Sequence, residues 1–203
     1  MALNIKTHKQ IYSGLSICKP NIKDINKILN LVIECAEHGH FTDQFLNIRF
    51  QAGLGIQFFK ILFFNRLTFP GEATNKAVIY VAKHKNAIMG FCLIREIPCP
   101  GAPAQQELLL LCVDEHYRRR GIGQSLLEKA ISICDLRQAL FVSCLPKSQA
   151  MLKLLKKIGA IKLAKPDPKT INFVAPECFV IGNRSNIAAM PSVWPYVYYS
   201  WGE

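Results

Sequence analysis

The stretch ELLLLCVDEHYRRRGIGQSLLEKAISIC, residues 107–134, identifies the fold. Its opening, Glu107 to Val113, is an almost unbroken apolar run of strand length, the pattern of a strand covered on both faces. After a sharp turn, Ile122, Leu126, Leu127, Ala130, Ile131 and Cys134 fall on one helical face. The turn, Arg118 to Ser125, sets three arginines before Gly121 and Gly123. Glycines let a backbone come close to a ligand, and the free amides of a helix N-terminus attract phosphate oxygens. The local chemistry is an anion cradle, although a plain strand-to-helix turn with exposed arginines would read the same way. A dinucleotide fingerprint asks for a third glycine where Leu126 stands, and no Lys-Ser or Lys-Thr pair follows as in a P-loop.

Outward from this unit the chain alternates strands and helices. Ser13 to Cys18 reads as a short strand, and Ile22 to Ala36 as an amphipathic helix with Asn21 as its cap. A second helical region, about Thr42 to Leu67, is rich in phenylalanine and weakened in the middle by Gly53 and Gly55. Ala77 to Ala82 and Ala87 to Arg95 read as strands of a hairpin turning at Lys83 to Asn86, followed by a Pro-rich loop, Pro98 to Pro103. Downstream, Ala139 to Leu145 is a strand, and Ser148 to Ile158 a helix closed by Gly159. Two strands around a turn at Pro166 to Pro168 complete the domain, residues 1–182, and an aromatic tail, residues 183–203, follows it.

Composition bounds the rest. A chain of 203 residues buries roughly 70% of its unfolded surface. Half of it is hydrophobic and 19% charged, which excludes global disorder. The longest apolar candidate, Leu54 to Phe64, is interrupted by Gln57 and Lys60, so no membrane span is expected. Met1 to Lys19 lacks an apolar secretory block, making the cytosol the default compartment. Eight cysteines without a CxxC pair indicate neither a zinc site nor a disulfide scaffold. The net charge of +11 predicts attraction to anions. Seven lysines against one acid, Asp167, lie between Lys147 and Lys169, with no nucleic-acid module beside them.

Arg118, Gly121 and Gly123 match the Q/R-x-x-G-x-G/A signature of the GNAT superfamily of acyl-CoA-dependent N-acetyltransferases, placed as there after the fourth strand and at the opening of the third helix. The run Leu154 to Ala160, in a helix beginning at Ser148, resembles that family's Leu-Tyr-x-Lys-x-Gly-Phe helix end. The resemblance spans Ser13 to Phe179. It implies an α/β fold with a mixed, splayed sheet flanked by helices, and acetyl-CoA as cofactor. It also implies that backbone groups of Leu111, Cys112 and Val113 bind the pantetheine arm, the Leu111 amide polarising the thioester carbonyl. Arg118, Arg119, Arg120, Gly121, Ile122, Gly123, Gln124 and Ser125 would then hold the pyrophosphate, with Ser148 beside them.

The implied activity is transfer of acetyl to a primary amine of a small molecule or protein, by direct attack in a ternary complex. Glu107 stands where some histone acetyltransferases of the superfamily carry a base, and alternation sets it on one face with Leu109, Leu111 and Val113. A strand-end glutamate in solvent is the competing reading. The usual general-acid tyrosine is replaced by Leu155, which leaves solvent, Cys144 or a tail tyrosine as proton donor and admits a non-catalytic binding module as the rival function. Glu37, His38, Gly39 and His40 read as a helix end with solvated histidines rather than a metal or base site. The phenylalanine-rich helix is expected to supply core rather than line an apolar acceptor pocket or dock a membrane or partner, although Phe58, Phe59, Phe63 and Phe64 cannot all point inward on one stripe. The tail rings, Trp194, Tyr196, Tyr198, Tyr199 and Trp201, are expected to dock on the domain or across a homodimer.

Overall fold

The apolar run is β5, Gln105–Val113, with β4 (Ala87–Ile97) antiparallel on one side and β6 (Leu140–Cys144) parallel on the other. The computed structural model describes residues 14–68, 75–99, 103–135, 138–163 and 177–182; the turn at Pro166 to Pro168 and the tail lie outside them. β1 (Leu15–Cys18), β2 (Arg66–Leu67), β3 (Asn75–His84), β7 (Ile161–Lys162) and β8 (Glu177–Ile181) complete an eight-stranded sheet in the order β1, β3, β4, β5, β6, β8, β7, with β2 paired to β3. The β3–β4 hairpin is tighter than expected. Pairing continues to His84 opposite Ala87, and Lys85 adopts a φ of 55° in the remaining turn.

Helix boundaries follow their caps. The Asn21 side chain accepts from Lys23 N at 2.9 Å and Asp24 returns a bond to Asn21 N at 2.7 Å, starting a single 3-10 turn that leads into α1 (Ile25–Glu37). α2 (Ile48–Phe64) is shorter than the predicted region, because Asn47 caps its start and Asn65, at φ 51°, ends it. Its glycines do not break it: Gly53 faces open space and Gly55 packs near Leu29. α3 spans Ile122–Ser132 and α4 Gln149–Lys157, with Gly159 at φ 76° just beyond.

The helices cover the sheet on both sides. Leu31, Val32, Phe58 and Ile61 of α1 and α2 pack on Val81, Phe91, Leu93 and Leu110. On the opposite face Ile122, Leu126 and Leu127 of α3 and Leu155 of α4 pack on Cys92, Ile94, Leu108 and Val142. The expectation that the α2 phenylalanines are core holds for Phe58, which is buried, and fails for Phe59, Phe63 and Phe64, which are exposed. An amphipathic helix has one inward stripe, and these rings fall outside it.

β5 carries two irregularities. Leu93 pairs with Leu110 and Ile94 with Leu108, so Leu109 is an extra residue, a β-bulge. The bulge reverses the alternation: Leu108, Leu111 and Val113 face α3, whereas Leu109, Leu110 and Cys112 face α1 and α2. Glu107, next to Leu108, therefore shares a face with Leu109 but not with Leu111 and Val113, correcting the alternation read from the sequence. The second irregularity is that β5 pairs with β6 only through Gln106, Glu107 and Leu108, opposite Leu140, Phe141 and Val142. Beyond that point the strands part, and β5 from Leu109 to Val113 has an open edge.

Candidate functional site

The open edge of β5 leads into the arginine-glycine turn. Asp114 begins it as a hub: its carboxylate accepts from His116 N at 3.1 Å and from Lys27 Nζ of α1 at 2.8 Å. Burial works to raise the Asp114 carboxyl, but the bonds from Lys27 and the His116 amide outweigh it and hold it below its ordinary 3.8. Arg118 is half-buried and folds back, its Nε donating to Val113 O at 3.1 Å, so its side chain braces the end of β5. Arg119 and Arg120 are exposed, Arg119 at φ 61° and Arg120 over the Tyr117 ring at 5.7 Å.

Gly121 is the N-cap of α3 at φ 80°, a conformation that favours glycine. The caps of the first 3-10 turn and of α2 use asparagine side chains, but no side chain caps α3. The ladder of α3 starts with Ser125 N donating to Gly121 O at 3.0 Å, leaving the first-turn amides of Ile122, Gly123 and Gln124 free for a ligand. The Ile122 side chain is buried in the core, so only its backbone can take part. A Cβ on Gly123 would stand 3.6 Å from Val113, 3.9 Å from Leu111 and 4.0 Å from Leu154, in the space between β5 and α4. Gln124 joins the two helices, donating to Glu128 at 2.9 Å and accepting from Lys157 Nζ at 3.2 Å. Across from Val113, β4 needs Gly90, where a Cβ would meet Cys112 O at 2.6 Å.

At the mouth of the opening, Ser148 is buried and its hydroxyl donates to His40 O at 3.3 Å, tying the segment after β6 to the turn between α1 and α2. His38 is exposed, as expected of a helix end, but His40 is not solvated in the same way: its Nδ1 is buried and has no hydrogen-bond partner. Burial, then the charges of Arg118 and His38, hold the His40 ring below its ordinary 6.5. Cys112 points away from the open edge toward Cys35, and burial pushes its thiol well above 9.0. Its backbone pairs with Phe91 of β4, so the expected contact from Cys112 does not form and the open edge is left to Leu111 and Val113.

Glu107 is not in solvent. It is fully buried, and its Oε2 accepts from Arg95 Nε, itself 2% exposed, while Oε1 has no partner. Leu155 is fully buried in the α3–α4 core, and burial pushes the Cys144 thiol up to about 12. No local pattern marked Arg95 as a partner, since it comes into place only through the β4–β5 register. Among the described residues no group of three His, Cys, Asp or Glu side chains is placed to hold a metal ion.

The model of the Acetyltransferase (GNAT) family matches residues 42–160, more than half of the chain. This protein belongs to the GNAT acetyltransferase family. The family's cofactor is acetyl-CoA. The PaiA N-acetyltransferase of Thermoplasma acidophilum, solved with coenzyme A, is similar at a TM-score of 0.61 and 14% identity, over 83% of this chain and 99% of that one. Arabidopsis thaliana NAA60, solved with a bisubstrate analogue, is similar at 0.57 and 14% identity, over 82% and 97%. The histone acetyltransferase HPA2 and related acetyltransferase of Corynebacterium glutamicum is similar at 0.58 and 18% identity, over 89% and 99%. At such identities the likeness shows the fold alone. A comparison with curated protein sequences finds no match.

The geometry fits the cofactor of this GNAT protein. An open strand edge suits an amide-bearing arm, and an uncapped helix end behind two exposed arginines suits a diphosphate. The space a Gly123 side chain would fill joins the two.

Proposed function

We propose that this protein transfers an acetyl group from acetyl-CoA to a primary amine by direct attack within a ternary complex. The observation that carries this is the parting of β5 from β6 after Leu108 and Val142, beside the uncapped start of α3. Bound acetyl-CoA supplies an acyl group activated as a thioester. The free amides from Arg119 to Gln124, with the Arg119 and Arg120 guanidiniums, would hold its diphosphate, and the backbone of Leu111 and the Val113 amide would hold its arm; the Ser125 amide, expected to join them, is taken by Gly121 O. Arg118 acts by fixing Val113 O, and Ser148 by fixing the His40 turn. The Leu111 amide would donate to the acyl oxygen, a kind of contact worth roughly 3 to 4 kcal/mol when such a donor is deleted.

An amine is mostly protonated near neutral pH, so one proton must leave before nitrogen attacks. Glu107 Oε1 is the acceptor in this reading. Arg95 occupies the other oxygen, and Oε1 is left without a partner at the level where the strands part. For the departing sulfur, Leu155 offers no proton and the Cys144 thiol holds its own too tightly for acid catalysis. Solvent then completes the step, with the tail tyrosines outside the described residues as the other source.

Leu155 in the core is also the observation favouring a second reading, a GNAT-fold module that binds without turnover. Calorimetric titration with acetyl-CoA, followed by mass spectrometry of an amine library incubated with protein and cofactor, separates the two. Saturable binding with acetylated product supports transfer. Binding without product supports the module, and no binding removes the cofactor site altogether.

A further inference from the structure

α2 is apolar on both sides. Leu54, Phe58 and Ile61 face the sheet and α1. The outward side carries Ile48, Ile56, Phe59, Phe63 and Phe64 at 79, 58, 43, 54 and 64% exposure, with Leu46 just before the helix at 42%. Isolated exposed hydrophobics are ordinary, but a run along one helix that spans about 25 Å marks an interaction surface. Ile56, Phe59 and Phe63 form a stripe at helical spacing, and the rings of Phe59 and Phe63 lie 4.4 Å apart.

The segment that carries the stripe has charge of one sign. No acidic residue occurs between Asp43 and Glu72, whereas Arg49, Lys60 and Arg66 lie within that span, on a chain of net charge +11. A second copy seated on the same face would bring these cations against their own kind, with no carboxylate from the segment to meet them. A lipid surface accepts all the apolar side chains together and meets the cations with anionic headgroups.

We propose that the outer face of α2 docks on an anionic phospholipid surface, with Ile56, Phe59 and Phe63 among the acyl chains and Arg49, Lys60 and Arg66 at the headgroups. This docking is peripheral, since among the described residues no helix is long and apolar enough to cross a membrane. It does not depend on acetyl transfer.

The test is co-sedimentation of the full chain with unilamellar vesicles of phosphatidylcholine, alone or with roughly 30 mol% phosphatidylserine, at low and high salt. Binding to the anionic vesicles should exceed binding to the neutral ones about tenfold and weaken with salt. The double variant Phe59→Ser, Phe63→Ser should lose about tenfold or more in partition while keeping the wild-type urea midpoint, because neither ring is core. Arg49→Gln with Arg66→Gln should lose the salt dependence and keep the weaker binding to neutral vesicles. Wild-type protein that stays in the supernatant with anionic vesicles overturns the proposal. So does binding that the phenylalanine variant leaves unchanged, or a wild-type dimer, seen by light scattering, that binds no vesicles and that the same variant splits.

Discussion

Arg95 and Glu107 sit opposite one another in the β4–β5 ladder, Arg95 Nε donating to Glu107 Oε2, and neither side chain reaches solvent. A buried pair contributes little net stability, because desolvation offsets the attraction, but removing one partner strands the other's charge at a cost of about 3 to 5 kcal/mol. Glu107→Gln should therefore lower the urea midpoint markedly, and Arg95→Met combined with Glu107→Leu should recover most of the loss. If Glu107 also takes the proton, the single variant slows turnover and leaves acetyl-CoA affinity at the wild-type value. An unaltered pH-rate profile would remove it as base while leaving its structural role intact.

Gly121 and Gly123 separate strain from occlusion. Valine at Gly121, at φ 80°, should cost about 1 to 2 kcal/mol in backbone strain and displace the first-turn amides, weakening acetyl-CoA binding. Alanine at Gly123 meets only ordinary contacts and should leave the fold unchanged, whereas leucine there should fill the gap between β5 and α4. Calorimetry should then show at least a tenfold loss of affinity, about 1.4 kcal/mol, for Gly123→Leu at an unchanged urea midpoint. Equal affinities across these variants would mean the loop is not the diphosphate site.

Two groups with lowered pKa values make the fold acid-sensitive in separate windows. The unfolded chain protonates His40 near 6.5, and the folded chain only at lower pH, so stability falls as pH drops below about 6.5. Asp114 gives up its contribution later, below its ordinary 3.8 and on through its folded value. His40→Gln should flatten the slope of urea midpoint against pH between about 7 and about 5, and Asp114→Asn should not. A slope that His40→Gln leaves in place would assign it to another group.

Cys144, Cys92 and Cys134 all have thiols pushed up to about 12 by burial. Since the thiolate is the reactive form, mass spectrometry should find all three slow to alkylate near neutral pH in the folded protein and fast in urea. Cys144→Ala should leave acetyl transfer intact if Cys144 donates no proton. Leu155→Tyr should not increase turnover and should cost about 1 to 3 kcal/mol, because the ring would overfill the α3–α4 core.

The order of elements was legible because each rests on local signals: the apolar run of β5, the asparagine cap at Asn21, and the glycine at the start of α3. The arginine-glycine turn was legible for the same reason, its glycine conformation and uncapped helix start lying in consecutive residues. Glu107 was visible as a residue type but not in its environment. Its face depends on the extra residue at Leu109, and its partner on a register set by hydrogen bonds between two strands.

Patterns over a few adjacent positions were enough to establish the alternation of strands and helices, the arginine-glycine turn between β5 and α3 and the family to which they belong. It took the folded chain to show that Arg118 braces Val113, that His40 is linked to Ser148, and that the α2 phenylalanines divide between core and surface. Those relationships join residues distant in the chain, and which atoms meet is fixed by packing and strand register, which no local pattern specifies.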